Sequence, residues 1–262
     1  MTGRRLLALV LLVAFGGCRL ELDVNVEIAE DGSGSVEVVV GVDRDGVERI
    51  GGDLEAVLAI DDLEDAGWTV DGPDEEADGY TRVRFRKPFD DPEEADAIFG
   101  EIAGEDGPFQ EFAVTRDSSF ASTEWGFTGR VDFSGGLEAF GDEELAAELD
   151  GEPIGQTVEE IEAQLGEALS RIIQVRVGVR LPGDVTSNAT TKAANGALWQ
   201  VGFGDGTIDM EASGEESRTT SLIGVGVAAA CVTLLLLYGL VRLAMRSTSE
   251  RRSAAADDDG AA

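Results

Sequence analysis

The chain has 262 residues and a formal net charge of −33, with 53 acidic residues against 20 basic ones. So acidic a composition argues against nucleic-acid binding, which needs a basic footprint, and against broad electrostatic adhesion to anionic lipid. Histidine is absent and the two cysteines are Cys18 and Cys231, which removes Ser-His-Asp and Cys-His catalysis and any His/Cys zinc site. An acidic composition bias, with arginine used in place of lysine, accounts for the charge without invoking a site.

In chain order, Met1 to Cys18 reads as an export signal. Arg4 and Arg5 form its positive start, and Leu6 to Phe15 is an apolar run too short to span a bilayer. Its end, Phe15-Gly16-Gly17-Cys18, resembles the bacterial lipobox, in which the cysteine is diacylated and becomes the new N-terminus. The competing reading is a plain signal peptide with an incidental cysteine. The position of Cys18, between the apolar run and a strand, favours the lipid.

Leu20 to Ile28 alternates apolar residues with Glu21, Asp23, Asn25 and Glu27, a period-two strand with one buried face. Asp31-Gly32-Ser33-Gly34 turns the chain and Ser35 to Val42 returns it as a hairpin. A helix is expected over Asp53 to Ala66, stopped at Gly67. Trp68 to Val70 and Tyr80 to Lys87 then form a strand pair around the acidic turn Gly72 to Gly79. Asp91-Pro92-Glu93-Glu94 is a strong helix start, with Ala95, Ile98, Phe99 and Ile102 on the apolar face.

Phe109 to Thr115 and Phe120 to Phe133 are expected to pair antiparallel, and Thr157-Val158-Glu159-Glu160 is a capping box opening an amphipathic helix. Ile173 to Leu181 is the clearest strand, and Leu198 to Phe203 with Ile208 to Ala212 close the sheet around Gly204-Asp205-Gly206. Hairpins with interspersed helices imply an α+β fold with a largely antiparallel, curved sheet and packed helices.

Leu222 to Val241 then carries no charge. About twenty residues at ~1.5 Å each span ~30 Å, the hydrocarbon thickness of a bilayer. Arg242, Arg246, Arg251 and Arg252 follow and place the C-terminal side in the cytoplasm. The expected layout is a signal over 1–18, an extracytoplasmic domain over 19–212, a polar linker over 213–221, one membrane helix over 222–243 and a cytoplasmic tail over 244–262. Acyl chains at one end and a helix at the other would tether the domain to a single membrane face.

Several short features together resemble the actinobacterial LppM-like lipoproteins. They are the signal, cysteine, strand, Asp-Gly turn and strand, then Gly67-Trp68 opening a later strand. Leu181-Pro182-Gly183-Asp184-Val185, Ser187-Asn188-Ala189, a strand bearing Trp199, and a membrane helix with a basic end complete the pattern. The resemblance implies a non-enzymatic envelope lipoprotein, in a family whose best-known member has been linked to binding envelope glycolipids. It brings no catalytic residues, and Trp68 and Trp199 are expected in the core.

Arg82, Arg84 and Arg86 share one strand face, opposite Val83 and Phe85, and Arg176 and Arg180 repeat the pattern. Two readings of these five arginines compete. They could cradle a phosphate headgroup, since guanidinium binds phosphate bidentately. Alternatively, they pair across strands with Glu21, Asp23 and Glu27. The apolar side of the sheet could likewise be a filled core or a lipid-sized cavity.

Carboxylates are too abundant for any pair to stand out as a glycosidase site. Asp43-Arg44-Asp45-Gly46 lacks the spacing of a calcium loop, and no serine-enzyme motif occurs. No catalytic residue, cofactor or metal is therefore expected. The expected function is non-enzymatic binding of an envelope lipid or glycolipid, against the alternative of a module that docks another envelope protein.

Overall fold

The computed structural model describes residues 18–58, 60–103, 107–133, 162–163, 166–193, 195–202 and 206–217. By its internal contacts the chain divides into two units, residues 1–118 with 123–216, and residues 119–122 with 217–262. The export signal, the capping box at Thr157, the apolar run from Leu222 and the tail lie outside the described residues. Among those residues no helix is long and apolar enough to cross a membrane.

The first unit is an α+β domain built on strand β1, Leu20–Ile28, whose burial alternates as its sequence does. Leu20, Leu22, Val24, Val26 and Ile28 are all buried. β2, Gly34–Asp43, returns antiparallel through the turn at Asp31, with Leu20 opposite Val42 and Ile28 opposite Gly34. The Asp31 carboxylate accepts the Ser33 amide at 3.0 Å, the side-chain mimic of a backbone turn that aspartate favours. On its other side β1 pairs in parallel with β7, Ile173–Arg180. The largely antiparallel expectation thus holds apart from this pair, whose members are too far apart in sequence to be joined by a hairpin.

Between β2 and β7 come β3 (Thr69–Glu75), β4 (Tyr80–Phe89), β5 (Phe109–Ser118) and β6 (Ser122–Asp132). After β7 come β8 (Asp184–Ser187), β9 (Thr191–Ala193), β10 (Gly196–Gly202) and β11 (Thr207–Ser217). Two sheets result among the described residues, in the orders β3-β4-β2-β1-β7-β10-β9 and β5-β6-β11-β8.

This corrects the expectation that β10 and β11 close one sheet. β10 has β7 on one side and β9 on the other, so no edge is left for β11, which enters the second sheet. β11 also runs to Ser217, well into the stretch read as a linker. β3 likewise continues to Glu75, into the stretch read as a turn, with a bulge between Asp71 and Asp74.

Five helices complete the described fold: α1 (Arg44–Arg49), α2 (Leu54–Leu58), α3 (Ile60–Asp65), α4 (Pro92–Ala103) and α5 (Leu169–Ile172). α1 has no counterpart in the sequence reading, because Gly46 and four charged residues hide its apolar stripe. Asp43 caps it by accepting the Gly46 amide at 2.9 Å. α4 starts as expected: Asp91 accepts the Glu93 and Glu94 amides at 2.9 and 3.1 Å, and Glu94 reaches back to the Asp90 amide at 2.8 Å.

The core is the inner face of the large sheet against α4 and the second sheet. Phe127 of β6 lies 5.9 Å from Trp199 of β10 and 6.5 Å from Phe99 of α4, measured between ring centroids. Trp68 and Trp199 are buried, as expected for core residues. Trp199 donates to Asn188 Oδ1 at 2.8 Å, and the same oxygen accepts the Glu211 amide at 3.0 Å, so one amide links the two sheets. Gly183 turns the chain between β7 and β8 at φ +80°, and a Cβ there would lie 2.1 Å from the Glu215 carbonyl oxygen. Only glycine meets both conditions.

Phe127 is the aromatic that joins three elements. Phe127→Ala should lower unfolding free energy by about 3–5 kcal/mol, the usual loss for deleting a buried ring. Urea denaturation of the full chain measures it.

Candidate functional site

The outward face of the large sheet carries all five arginines singled out in the sequence. The β4 alternation buries Val83 and Phe85 and turns Arg82, Arg84 and Arg86 outward. The β7 alternation buries Val175, Val177 and Val179 and turns out Arg176, Gly178 and Arg180. β1 lies between β7 and β2, and β2 lies between β1 and β4. Glu21, Asp23, Asn25 and Glu27 therefore stand between the two arginine rows.

The five are not equivalent. Arg82 is mostly buried and donates to Glu21 at 2.8 Å, to Glu76 at 2.7 Å, and to both Asp78 oxygens at 3.1 and 2.8 Å. Arg84 donates to the other Glu76 oxygen. Arg176 clasps Asp23 through Nε at 2.6 Å and its second nitrogen at 2.8 Å, and also reaches Glu21 at 3.5 Å. These three are committed to carboxylates, and Glu76 and Asp78, which the sequence reading left in a turn, supply much of the clamp.

Arg86 and Arg180 differ. They are 55% and 74% exposed, and each meets the same carboxylate, Glu27, only at 3.8 Å. Arg86 is steadied by Ser35 Oγ, which accepts from its Nε at 3.1 Å and its terminal nitrogen at 2.9 Å.

The titration behaviour follows the packing. Hydrogen bonds from Arg82 hold the Asp78 carboxyl below its ordinary range, and Arg84 does the same to Glu76. Burial pushes Asp23 up by more than Arg176 pulls it down. The hydrogen bond to Asp23 in turn raises Arg176, and those to Asp78 and Glu21 raise Arg82 against its burial.

Arg86 and Arg180 flank a groove of about 530 Å³ at the far end of this face. Two cross-strand rows build it. Asn25 lies opposite Glu37 and Gly178, and Gly178 opposite Leu198; Glu27 lies opposite Ser35 and Arg180, and Arg180 opposite Gly196. Gly178 and Gly196 leave the floor bare: a Cβ on Gly178 would come within 2.6 Å of Asn25 Oδ1, and one on Gly196 within 3.5 Å of the Arg180 stem. The walls hold two guanidinium groups, the Glu27 and Glu37 carboxylates, Asn25, Ser35, Thr191 and the part-exposed apolar Leu198. Such a set offers two guanidinium donors beside hydroxyl, amide and carboxylate partners.

The concavity therefore lies on the polar face, and the inner face is lined with buried apolar side chains. The sequence reading named Arg86 and Arg180 but missed Asn25, Ser35, Glu37, Thr191 and Leu198 as their neighbours. Its only local signal was glycine at outward positions of two strands. Cys18 lies away from the groove, beside the start of β1, buried and against α1, where burial pushes its thiol up. Among the described residues no group of three or more His, Cys, Asp or Glu converges as a metal site would.

Two measurements separate the committed from the loosely held arginines. Arg82→Ala leaves Glu21 buried and poorly paired and should lower stability by about 3 kcal/mol, while Arg180→Ala should cost less than about 1 kcal/mol. Carboxyl NMR titration should show Asp78 and Glu76 ionising below, and Asp23 above, their ordinary values. For Asp78 and Glu76 the stabilising effect is complete above the unfolded-chain value and is lost as pH falls through the lowered folded value. For Asp23 the sign reverses: its contribution is present below the unfolded value and is lost as pH rises through the raised folded one.

No protein-family model matches the chain, and no curated protein does. Among solved structures it is similar to the NMR structure of the folded domain of the Mycobacterium tuberculosis LppM protein, with 15% identity and a TM-score of 0.39. The match covers 79% of this chain and 95% of that one. At this identity and superposition the likeness carries no residue, ligand or activity across.

Proposed function

We propose that the chain is a non-enzymatic, extracytoplasmic binding protein of the cell envelope that takes a phosphate-bearing, hydroxyl-rich lipid headgroup in the groove beside Arg86 and Arg180. One observation carries the reading. In a cluster where Arg82, Arg84 and Arg176 are held by close carboxylates, these two exposed guanidinium groups share Glu27 at 3.8 Å across an open concavity. A phosphate placed between them would exchange a long contact for charge-assisted hydrogen bonds. Asn25, Ser35, Thr191 and Glu37 offer donors and acceptors for headgroup hydroxyls.

The address forms part of the proposal: acylation at Cys18, one span over 222–243 and a cytoplasmic tail. Within the domain, the described residues nearest the two proposed anchors lie at opposite ends of β7. Cys18 precedes the start of β1, which pairs with the start of β7, whereas Gly183, just past the end of β7, abuts Glu215 near the end of β11. A nine-residue strand is about 30 Å long.

The test uses the full chain in phosphatidylcholine nanodiscs, with calorimetric titration of glycerophosphoinositol and, separately, glycerol phosphate. Glycerophosphoinositol should bind more tightly than glycerol phosphate. The double variant Arg86→Glu/Arg180→Glu should weaken it at least about tenfold, roughly 1.4 kcal/mol, while the thermal midpoint falls by no more than about 2–4 °C. Glu27→Gln, which frees both guanidinium groups, should tighten binding. No heat from either probe, or no change in the double variant, would remove the headgroup reading and favour a surface that docks another envelope protein.

A further inference from the structure

Phe120 acquires a role once Leu222 to Val241 is read as a membrane span, the reading proposed above. β5 and β6 form a hairpin whose tip, Ser119 to Ser122, carries Phe120 at 61% exposure, the most exposed large apolar side chain among the described residues. The stretch Ser118 to Thr123 holds no charge, in a chain with 53 acidic residues.

The turn makes several of its hydrogen bonds internally. Ser119 Oγ accepts the Ala121 and Ser122 amides at 3.2 and 2.9 Å, and the Ser122 carbonyl accepts the Ser119 amide at 2.8 Å and the Ser119 hydroxyl at 2.9 Å. Backbone groups satisfied in this way lose little on leaving water.

β6 and β11 are neighbours in the second sheet. The Phe133 amide donates to the Gly206 carbonyl at 3.3 Å, and Arg130 Nε to Asp209 at 2.7 Å, so the strands run in opposite directions. Both strands are 11 residues long, which brings Ser122 level with Ser217. From Ser217 the chain reaches Leu222 in five steps, at most ~18 Å of extended backbone. The hairpin tip therefore lies at the same end of β6 and β11 as Ser217, the last described residue before the apolar run.

We infer that Phe120 inserts at the boundary between headgroups and acyl chains, as a third membrane contact that fixes the domain's orientation. An aromatic ring on an uncharged turn with internal hydrogen bonds suits that layer. The lipid surface, rather than another protein, is the partner, because covalent connection already keeps the tip within reach of it.

The test is Phe120→Trp in the full chain, reconstituted into phosphatidylcholine vesicles with lipids brominated at shallow or deep acyl positions. The native Trp68, Trp125 and Trp199 are 5%, 1% and 2% exposed, so they contribute little quenching. The expected result is an added, blue-shifted emission that shallowly brominated lipid quenches more than deeply brominated lipid, with an unchanged thermal midpoint. Ala121→Trp, the neighbouring tip residue, replaces it should Phe120→Trp not fold. A chain that floats with the vesicles but whose added emission is unquenched overturns the tip anchor and leaves the span standing. A chain that does not float overturns both.

Discussion

Everything else in the domain depends on the alternation of β1 and on its place between two partners. Its apolar residues face the core while Glu21, Asp23, Asn25 and Glu27 face outward. Antiparallel pairing with β2 is set by a hairpin, whereas parallel pairing with β7 is set by distant chain. A one-residue slip would put the carboxylates inside and the valines outside. The same register that builds the core therefore places a column of acids between two columns of arginines. Core and charged face have one structural origin.

That origin explains why a five-arginine surface is mostly not a binding surface. Arg82, Arg84 and Arg176 are used in neutralising acids crowded on this face: Glu21 and Asp23 of β1, and Glu76 and Asp78 between β3 and β4. The cluster loosens only toward the far end, where Glu27 alone faces both Arg86 and Arg180 and glycine replaces side chains at 178 and 196. The groove is where the pairing stops. Its two carboxylates, Glu27 and Glu37, balance its two guanidinium groups in number. Under the proposed headgroup binding, selectivity there would come from placing a phosphate and hydroxyls together, not from net attraction.

Local pattern carried a good deal of this. The bounds of β1, the caps at Asp91 and the stop at Gly67 follow from residue types over a few positions. The outward direction of the arginines followed from period two alone. What local pattern could not supply was which strands meet. Two adjacent strands around a Gly-Asp-Gly turn looked like a hairpin, yet β10 and β11 belong to different sheets because β7 and β9 already flank β10. The acids of the stretch after β3 looked like solvated turn residues, yet Glu76 and Asp78 hold Arg82 and Arg84. Helix α1 was invisible because its buried contact is Gly46 rather than an apolar side chain. The groove was illegible for the same reason, being defined by missing side chains.

The central claim is that the groove holds an envelope lipid. It is tested most directly by native mass spectrometry of the full chain, extracted gently from its own host's envelope. The account predicts one bound, phosphorus-containing glycolipid mass per chain that collisional activation releases, which a covalently attached acyl group would not show. A bare mass, with no uptake from an added extract of the same envelope lipids, would contradict it.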